Sequence, residues 1–307
     1  QDQDSGNLNA PPPVPSFGAL NESNVSGRLG LQYKFSPALN GYATIVRGYK
    51  GPQVAPAAQG TPATIIAAEI PTAYEVGVKG TVLDGRLGID ANVFQSDVRD
   101  YQGQKCLLNA VGVLNCTPVT VPTLTSKGVE VDLYGQPVRG LMLNGGIIYD
   151  QAQYPTGWTG YNPEALTGPG NSTSLSGRQI VGVPKTKLTL NADYSRPLGS
   201  VEGYVGADAV YKSDMLMGPS GDPRFVYPSH WITGLRFGVR STTGRWSAGV
   251  YARNLGNNHE PVTIFGGPSF VGPGNDPTQP AGYVNGISGW FTQASLRQVG
   301  LSFDARY

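Results

Sequence analysis

The last eleven residues of the chain, 297–307, alternate strictly between polar and apolar side chains. The apolar set consists of Val299, Leu301, Phe303, Ala305 and Tyr307. Successive side chains of a β-strand point to opposite faces, so this segment predicts a strand with one apolar and one polar face. A transmembrane strand needs such faces, because one side meets lipid and the other a wet lumen. A strand of a soluble sandwich can alternate too, but it rarely ends a chain on an aromatic residue.

The same two-faced pattern recurs upstream. In Val201–Lys212 the odd positions are apolar, aromatic or glycine, whereas Glu202, Asp208 and Lys212 occupy even positions. Segments 231–240 and 245–253 repeat the pattern, with their arginines on one face. A charge on the lipid face near the bilayer midplane costs about 2–4 kcal/mol, so this segregation is typical of a membrane strand.

Composition narrows the class of protein. Only 14% of the residues are charged, against the roughly 25% usual in soluble domains. The net charge of +1 provides no basic stripe for phosphate backbones, so we expect no nucleic-acid partner. No run approaches the ~18 consecutive apolar residues of a membrane helix. If the chain spans a bilayer, it does so as a β-barrel.

Counting alternating segments predicts an all-β fold, a transmembrane antiparallel barrel with about eleven strands in this chain. Short turns alternate with long connections at about 51–71, 101–124, 153–182, 214–227 and 256–296, as in barrels with tight periplasmic turns and extended extracellular loops. The predicted strands are 25–35, 41–50, 72–83, 87–100, 125–135, 141–152, 183–195, 201–213, 228–240, 245–255 and 297–307.

The odd number of strands predicts an incomplete barrel. Bacterial single-chain barrels have an even number of strands. If the last strand descends to the periplasm, the first strand descends too and starts outside the cell. We therefore expect residues 1–24, which are polar and proline-rich, to be an irregular extracellular segment, with earlier strands missing and Gln1 not the natural start. Residues 25–307 are predicted to form the barrel portion of the chain.

Several phrases of the chain match, in order, those of one family. They are SGRLGLQY from Ser26, LNGYA from Leu39, RGYKGP from Arg47, YEVGVK from Tyr74 with LDGRL from Leu83, SKGVE from Ser126, GVPK from Gly182 and YARNL from Tyr251. Together with the final aromatic residue, they resemble the TonB-dependent outer-membrane receptors over about residues 25–307.

The resemblance implies the carboxyl-terminal half of a 22-stranded barrel in the outer membrane of a Gram-negative bacterium. Such a receptor actively imports a scarce ligand such as a siderophore, a cobalamin-like cofactor or a carbohydrate. Its partners would be lipid, a plug and first barrel half in the same or a separate chain, the TonB energy-coupling protein acting through the plug, and the barrel-assembly machinery. Residues Val299, Leu301, Phe303 and Tyr307 match the apolar positions of the assembly signal.

Ligand contact, in this interpretation, comes from aromatic residues of the predicted extracellular loops. Aromatic side chains supply contact area for sugars, catecholates or planar cofactors. Packing against other loops is the alternative role for each of them. The candidates are Trp158, Tyr161, Asn162, Phe265, Tyr283, Trp290 and Phe291.

Nothing in the sequence indicates an enzyme, a cofactor or a metal site. The two histidines, His230 and His259, lie near no nucleophile motif, and no CxxC spacing exists. The two cysteines, Cys106 and Cys116, are close enough in a predicted loop to form a local disulfide, which would indicate an oxidising compartment. Two free thiols are the alternative.

Two other functions remain open at this stage. The chain could be a structural or interaction component of an outer-membrane assembly without active import, or part of a passive porin. An upstream plug and coupling box would favour active transport over a scaffold, and a large steady conductance would favour a porin.

Overall fold

The computed structural model describes residues 22–55, 64–108, 114–162, 172–266 and 287–306. Nearly all regular structure in these ranges is strand. Short 3-10 turns lie at Pro223–Phe225 and Gln293–Ser295. No helix in the described ranges is both long and apolar enough to cross a membrane.

The strands are named here in chain order. They are β1 (Gly27–Ser36), β2 (Leu39–Arg47), β3 (Gln53–Ala55), β4 (Thr64–Ile66), β5 (Ile70–Val82), β6 (Leu87–Leu108), β7 (Leu114–Val138), β8 (Leu141–Asp150), β9 (Thr159–Tyr161), β10 (Ser172–Ser174), β11 (Thr186–Leu198), β12 (Val201–Lys212), β13 (Met215–Leu216), β14 (Val226–Tyr227), β15 (His230–Ser241), β16 (Trp246–Arg253), β17 (Thr263–Gly266), β18 (Ile287–Trp290) and β19 (Gln298–Ala305).

Eleven of these strands form one sheet in the order β1-β2-β5-β6-β7-β8-β11-β12-β15-β16-β19. Each neighbouring pair is antiparallel, and each wall strand pairs with the next wall strand along the chain. The predicted number, order and approximate positions of the membrane strands are therefore confirmed. We call the region of this sheet in which all eleven strands lie side by side the wall. The end with short connections is the turn end, and the opposite end is the loop end.

One predicted loop is wrong. Segment 101–124 was expected to be an irregular connection, but β6 and β7 continue through it as a paired ladder from Leu87↔Gly135 to Leu108↔Leu114. The residues there are rich in Val and Thr, which suit a pleated surface, and a hairpin satisfies its own backbone groups beyond the wall. The other long connections carry two-stranded sheets: β3 with β4, β9 with β10, β13 with β14 and β17 with β18.

The register separates the wall into an apolar face and a polar face. One continuous row of paired residues crosses six strands from Leu31 through Ala43, Val76, Val93 and Val129 to Tyr149. Leu31 and Val76 on this apolar face are 74% and 57% exposed, so they have no protein to pack against. The rows that alternate with the apolar ones carry the charges. One example is Lys79, which forms an ion pair with its register partner Asp90 across β5 and β6.

Tyrosine rings on the polar face lie over glycines of nearby strands. A Cβ atom built on Gly77 would stand 2.6 Å from the Tyr42 hydroxyl, and one on Gly249 would stand 2.3 Å from the Tyr204 hydroxyl. The Tyr42 hydroxyl also donates to Glu75 Oε1 at 2.5 Å. A glycine in a strand allows such close approach of a neighbouring ring.

Buried side chains of the described residues lie mainly at the loop end and not in the wall. Ile66, Val121, Leu124, Tyr161, Leu175, Leu216 and Phe225 are all less than 5% exposed, and all belong to connections or to strand extensions beyond the wall. A sheet with lipid on one side needs no internal core of its own, so the compact packing is found where the chain leaves the membrane.

Candidate functional site

Three long connections meet at the loop end and share one small hydrophobic core. Tyr161, Leu175, Leu216 and Phe225 form this core, and Tyr154, Trp158, Val181, Val226, Ile264 and Ile287 pack against it. The three connections are 151–185, 213–229 and 254–297, of which residues 163–171 and 267–286 lie outside the described ranges. We call this assembly the loop body.

Hydrogen bonds to backbone carbonyls tie the three connections together. The first and second are joined by Gly182 N donating to Leu216 O at 2.7 Å, and by Ser220 Oγ donating to Tyr161 O at 2.8 Å. The third is joined to the second by Ile264 N donating to Met217 O at 3.0 Å. Because these bonds cross between connections that are distant in sequence, the loops are one packed unit and not independent strings.

Two of the predicted ligand contacts take part in the packing of the loop body. Tyr161 is 0% exposed and meets Phe225 edge to face, with ring centroids 5.5 Å apart. Trp158 stacks on Tyr154 at 6.3 Å and packs against the core. These two aromatic residues therefore have a structural role in the loop body, and Tyr161 presents no surface to a ligand in this conformation.

The remaining candidates lie nearer the surface. Asn162 and Phe265 are partly buried, and the Phe265 ring meets Trp290 edge to face at 5.3 Å. Trp290 is 64% exposed and Phe291 is 57% exposed. Tyr283 lies outside the described residues. Trp290 and Phe291 are therefore the most exposed of the described candidates.

A charged cluster anchors the loop body to the wall, and sequence reasoning missed it. Glu260 accepts hydrogen bonds from Lys212 Nζ at 2.7 and 2.9 Å, and its Oε2 lies 3.1 Å from Nε2 of His230. His230 Nδ1 lies 3.0 Å from the carbonyl oxygen of Pro228. Lys212 and His230 are direct register partners on β12 and β15. No local signal marks Glu260, because its partners are 30 and 48 residues away.

A cavity of about 300 Å³ lies beside this cluster. Lys212 and Glu260 line it together with apolar side chains, among them Met215, Met217 and Ile232. Burial and the nearby Glu260 carboxylate raise the pKa of Tyr227, whose ring meets His230 edge to face at 4.9 Å. The cavity therefore combines a charged pair with an apolar lining, which is the usual make-up of a small-ligand pocket.

The polar face carries a second concave region near the turn end. This region has a volume of about 800 Å³. Arg236 forms an ion pair with Asp193, and Arg240 Nε donates to Glu202 Oε2 at 2.8 Å. Ser247 Oγ donates to Asp304 at 3.1 Å on the last pair of strands. The arginines named here are paired with carboxylates across strands, so this region is polar without a concentrated charge of one sign.

The remaining site predictions are placed as follows. Val299, Leu301 and Phe303 of the assembly signal lie on the apolar face of β19 and are 69%, 83% and 73% exposed, whereas Tyr307 lies outside the described residues. Cys106 and Cys116 are direct register partners on β6 and β7. Paired residues of an antiparallel ladder have Cα atoms about 4.5–5.5 Å apart, a spacing that suits a disulfide, which stays a prediction.

The part of the chain that the structure describes holds no group of three or more His, Cys, Asp or Glu residues that could bind a metal ion.

Solved structures with a similar architecture include uptake and import receptors. The ferric yersiniabactin uptake receptor FyuA from Yersinia pestis matches with a TM-score of 0.67 and 15% identity, over 93% of this chain and 38% of that one. The siderophore receptor PiuA from Acinetobacter baumannii matches with a TM-score of 0.60 and 17% identity, over 91% and 35%. The ferric-catecholate import receptor Fiu from E. coli K12 matches with a TM-score of 0.57 and 17% identity, over 91% and 34%.

The chain therefore spans between about a third and two fifths of the length of these relatives. At such identities the likeness establishes the fold. The family is established by sequence, because the model of the family described as "TonB dependent receptor-like, beta-barrel" matches residues 1–255. The eleven-stranded antiparallel wall with its two-faced register agrees with that match. The chain belongs to the TonB-dependent receptor-like β-barrel family of the bacterial outer membrane.

Proposed function

We propose that this chain forms part of the wall and the ligand-facing loops of a receptor that imports a scarce ligand across the outer membrane by TonB-dependent transport. The family is one of transport receptors rather than enzymes. The observation that carries the proposal is the loop body. Three connections are packed around one core at the loop end of the wall, and they present Trp290 and Phe291 to solvent.

The proposed ligand is a ferric siderophore. The related structures include receptors for ferric yersiniabactin and for ferric catecholates. Exposed aromatic side chains on packed loops favour a large, partly planar ligand, because an aromatic ring provides contact area at a low cost in conformational entropy. The cavity beside Lys212 and Glu260 lies at the same end of the wall and would bring a polar contact into reach.

The proposed partners follow from membership of the TonB-dependent receptor family. Residues 25–307 would supply the carboxyl-terminal half of a 22-stranded barrel, and residues 1–24 an extracellular segment. A plug, the first half of the barrel and the TonB protein would complete the transporter. The paired charges of the polar face, such as Arg236 with Asp193, would face the plug and water.

Uptake of radiolabelled ferric siderophore under iron limitation tests the proposal. The Trp290→Ala and Phe291→Ala variants are together expected to lower uptake tenfold or more, because a tenfold loss of affinity corresponds to about 1.4 kcal/mol and the loss of an aromatic contact buried on binding costs at least about that much. Trp246→Ala is the matched control, since this tryptophan is also partly exposed but lies at the turn end. Equal outer-membrane abundance of all variants must be verified by immunoblot.

Three results would contradict the proposal. They are unchanged uptake in the double variant, uptake that persists when the proton-motive force is collapsed, and a large steady conductance of the purified protein in planar bilayers. The last of these is the behaviour of a porin.

A further inference from the structure

Two lysines stand on the apolar face of the wall near the loop end. Lys127 on β7 pairs with Gln95, one apolar-face position beyond Val129. Lys185, just before β11, places its Nζ 5.3 Å from the ring centroid of Tyr149, which is itself the register partner of Val129. Both lysines are exposed. Neither amine lies within 4 Å of a carboxylate of the described residues.

These positions mark the boundary of the apolar band. Toward the membrane centre the apolar face of β7 continues with Val129, Val131 and Leu133, and in the other direction with Thr125. Asp97, an acidic neighbour on the same face, already accepts hydrogen bonds from Gln95 Nε2 and Thr125 Oγ1, each at 2.8 Å. Asp150, which pairs with Gly128, accepts one from Ser126 Oγ at 2.7 Å. An amine at the edge of the hydrocarbon layer is stable when it reaches the headgroup region, where anionic lipids attract it.

An apolar furrow lies on the same face, closer to the membrane centre than the two lysines. This furrow of about 510 Å³ runs across β8, β11, β12 and β15, and its lining is almost wholly apolar. Small residues form its floor and leucines its edges. They are Gly145, Ala192, Ala207 and Ala209, with Leu190 and Leu235. The pairs Gly145↔Leu190 and Leu190↔Ala209 show that the floor is continuous across the strands.

The distance between the two lysines and the furrow is less than the thickness of one lipid leaflet. Gly145 is four residues from Tyr149 along β8, which is about 13 Å at the usual rise of a strand. The hydrocarbon core of a bilayer is about 30 Å thick, so one leaflet contributes about 15 Å. A phosphate held at Lys127 and Lys185 would therefore place an acyl chain of the same molecule alongside the furrow.

We propose that this face of the wall binds a phosphate-bearing membrane lipid of the leaflet at the loop end. The ammonium groups of Lys127 and Lys185 hold the phosphate, and the Tyr149 hydroxyl lies beside them, fixed by Gln151 Nε2, which donates to it at 2.8 Å. One acyl chain lies in the furrow over the alanines. The occupant is a lipid because the surface joins cations without a carboxylate partner at headgroup depth to an apolar channel that opens toward the bilayer.

Native mass spectrometry tests this with the protein in the form in which it is extracted from outer membranes. The probes are dioleoyl phosphatidic acid and dioleoylglycerol, which share their chains and differ in the phosphate. We expect one retained phosphatidic acid and weaker retention of dioleoylglycerol. Lys127→Gln with Lys185→Gln should weaken phosphatidic acid retention about tenfold or more, since each lysine near a charged lipid surface contributes about 1 kcal/mol.

Two further variants keep the test specific. Lys105→Gln with Lys187→Gln removes the same amount of charge away from the proposed site. Lys187 lies on the polar face, and Lys105 lies beyond the wall on the extended β6–β7 hairpin. This double variant should retain the lipid. Ala207→Leu with Ala209→Leu fills the furrow while both lysines remain, and it should reduce retention of both probes.

Several results would overturn the proposal. They are equal retention of the two probes, no difference between the two lysine pairs, unchanged retention when the furrow is filled, and displacement of the lipid by millimolar inorganic phosphate. The last result would indicate a site for the free anion.

Discussion

Glu260 holds Lys212 through both of its carboxylate oxygens, at 2.7 and 2.9 Å, and so joins the third connection of the loop body to the end of strand β12. The side chains are 16% and 25% exposed, so the pair is partly shielded from water. His230, the register partner of Lys212, meets the same carboxylate. The loop body is thus fastened to the wall at a charged point as well as through its apolar core.

Removing one partner of this pair is expected to loosen the third connection. Glu260→Gln leaves the partly buried Lys212 ammonium without a counter-charge. A double-mutant cycle with Lys212→Met should give a coupling free energy between the two side chains of about 1–2 kcal/mol, which is above the range of fully exposed pairs. Hydrogen exchange of segment 254–262 measures the loosening. Glu202→Gln, which breaks an ion pair at the turn end, should leave that exchange unchanged.

Removing the core of the loop body should release the loops while the wall persists. Phe225 is fully buried, and Phe225→Ala is expected to destabilise the loop body by about 3–5 kcal/mol because it leaves a cavity. Limited proteolysis should then cut within 151–185 and 213–229 while the wall strands stay protected. Phe237→Ala, at a site 58% exposed on the apolar face, should cause no such cleavage. Simultaneous loss of wall and loops would show that the two are a single cooperative unit.

The second connection should weaken in acid. Arg224 donates hydrogen bonds to Asp222 from its side chain and from its backbone N at 2.9 Å, and this lowers the pKa of the Asp222 carboxyl below its usual 3.8. A depressed pKa stabilises the folded loop fully above the unfolded value, and this stabilisation is lost as the pH falls through the lower folded value. Exchange of segment 213–229, corrected for intrinsic rates, should rise below about pH 4. In Asp222→Asn this acid-dependent component should be absent.

Filling the space under a lumenal tyrosine should strain the wall. A Cβ on Gly249 would meet the Tyr204 hydroxyl at 2.3 Å and Phe237 O at 3.1 Å, so Gly249→Ala is expected to cost about 1–3 kcal/mol in thermal or denaturant unfolding. Adding Tyr204→Ala should recover part of the loss. Gly27→Ala is the control, because a Cβ atom placed on Gly27 would have no neighbouring atom within 4 Å. Equal effects of the two glycine substitutions would exclude the close approach as the cause.

The two register-paired cysteines should form a disulfide. Mass spectrometry without reductant is expected to find the peptides containing Cys106 and Cys116 linked, and Cys106→Ser should lower the stability of the hairpin tip by about 2–3 kcal/mol. Two alkylated thiols in the unreduced protein would contradict the prediction.

The wall could be predicted because each of its strands carries its own evidence. In Val201–Lys212 the alternation of Val205 and Ala207 with Glu202 and Asp208 places charge on one face, and the register with β11 and β15 repeats that division. Neither face depends on a distant buried partner, since one meets lipid and the other water, so a local pattern is enough to define the strand.

The loop body could not be predicted in the same way. Tyr161 and Phe225 are 64 residues apart, and Glu260 lies 48 residues from Lys212. In the sequence Tyr161 and Trp290 are both loop aromatics, yet one is fully buried and the other is 64% exposed. Burial of a loop residue depends on which other loops pack over it, and no local period records that.

By itself, the sequence determined an antiparallel membrane wall of eleven strands, its two faces and its family, because alternation and turn residues act over a few neighbouring positions. The tertiary structure alone decided that the β6–β7 hairpin extends beyond the wall, that the loops share one core, and that Lys212 and His230 meet Glu260. These features arise from packing and charge pairing between segments far apart in the chain, where the gain in free energy depends on three-dimensional proximity.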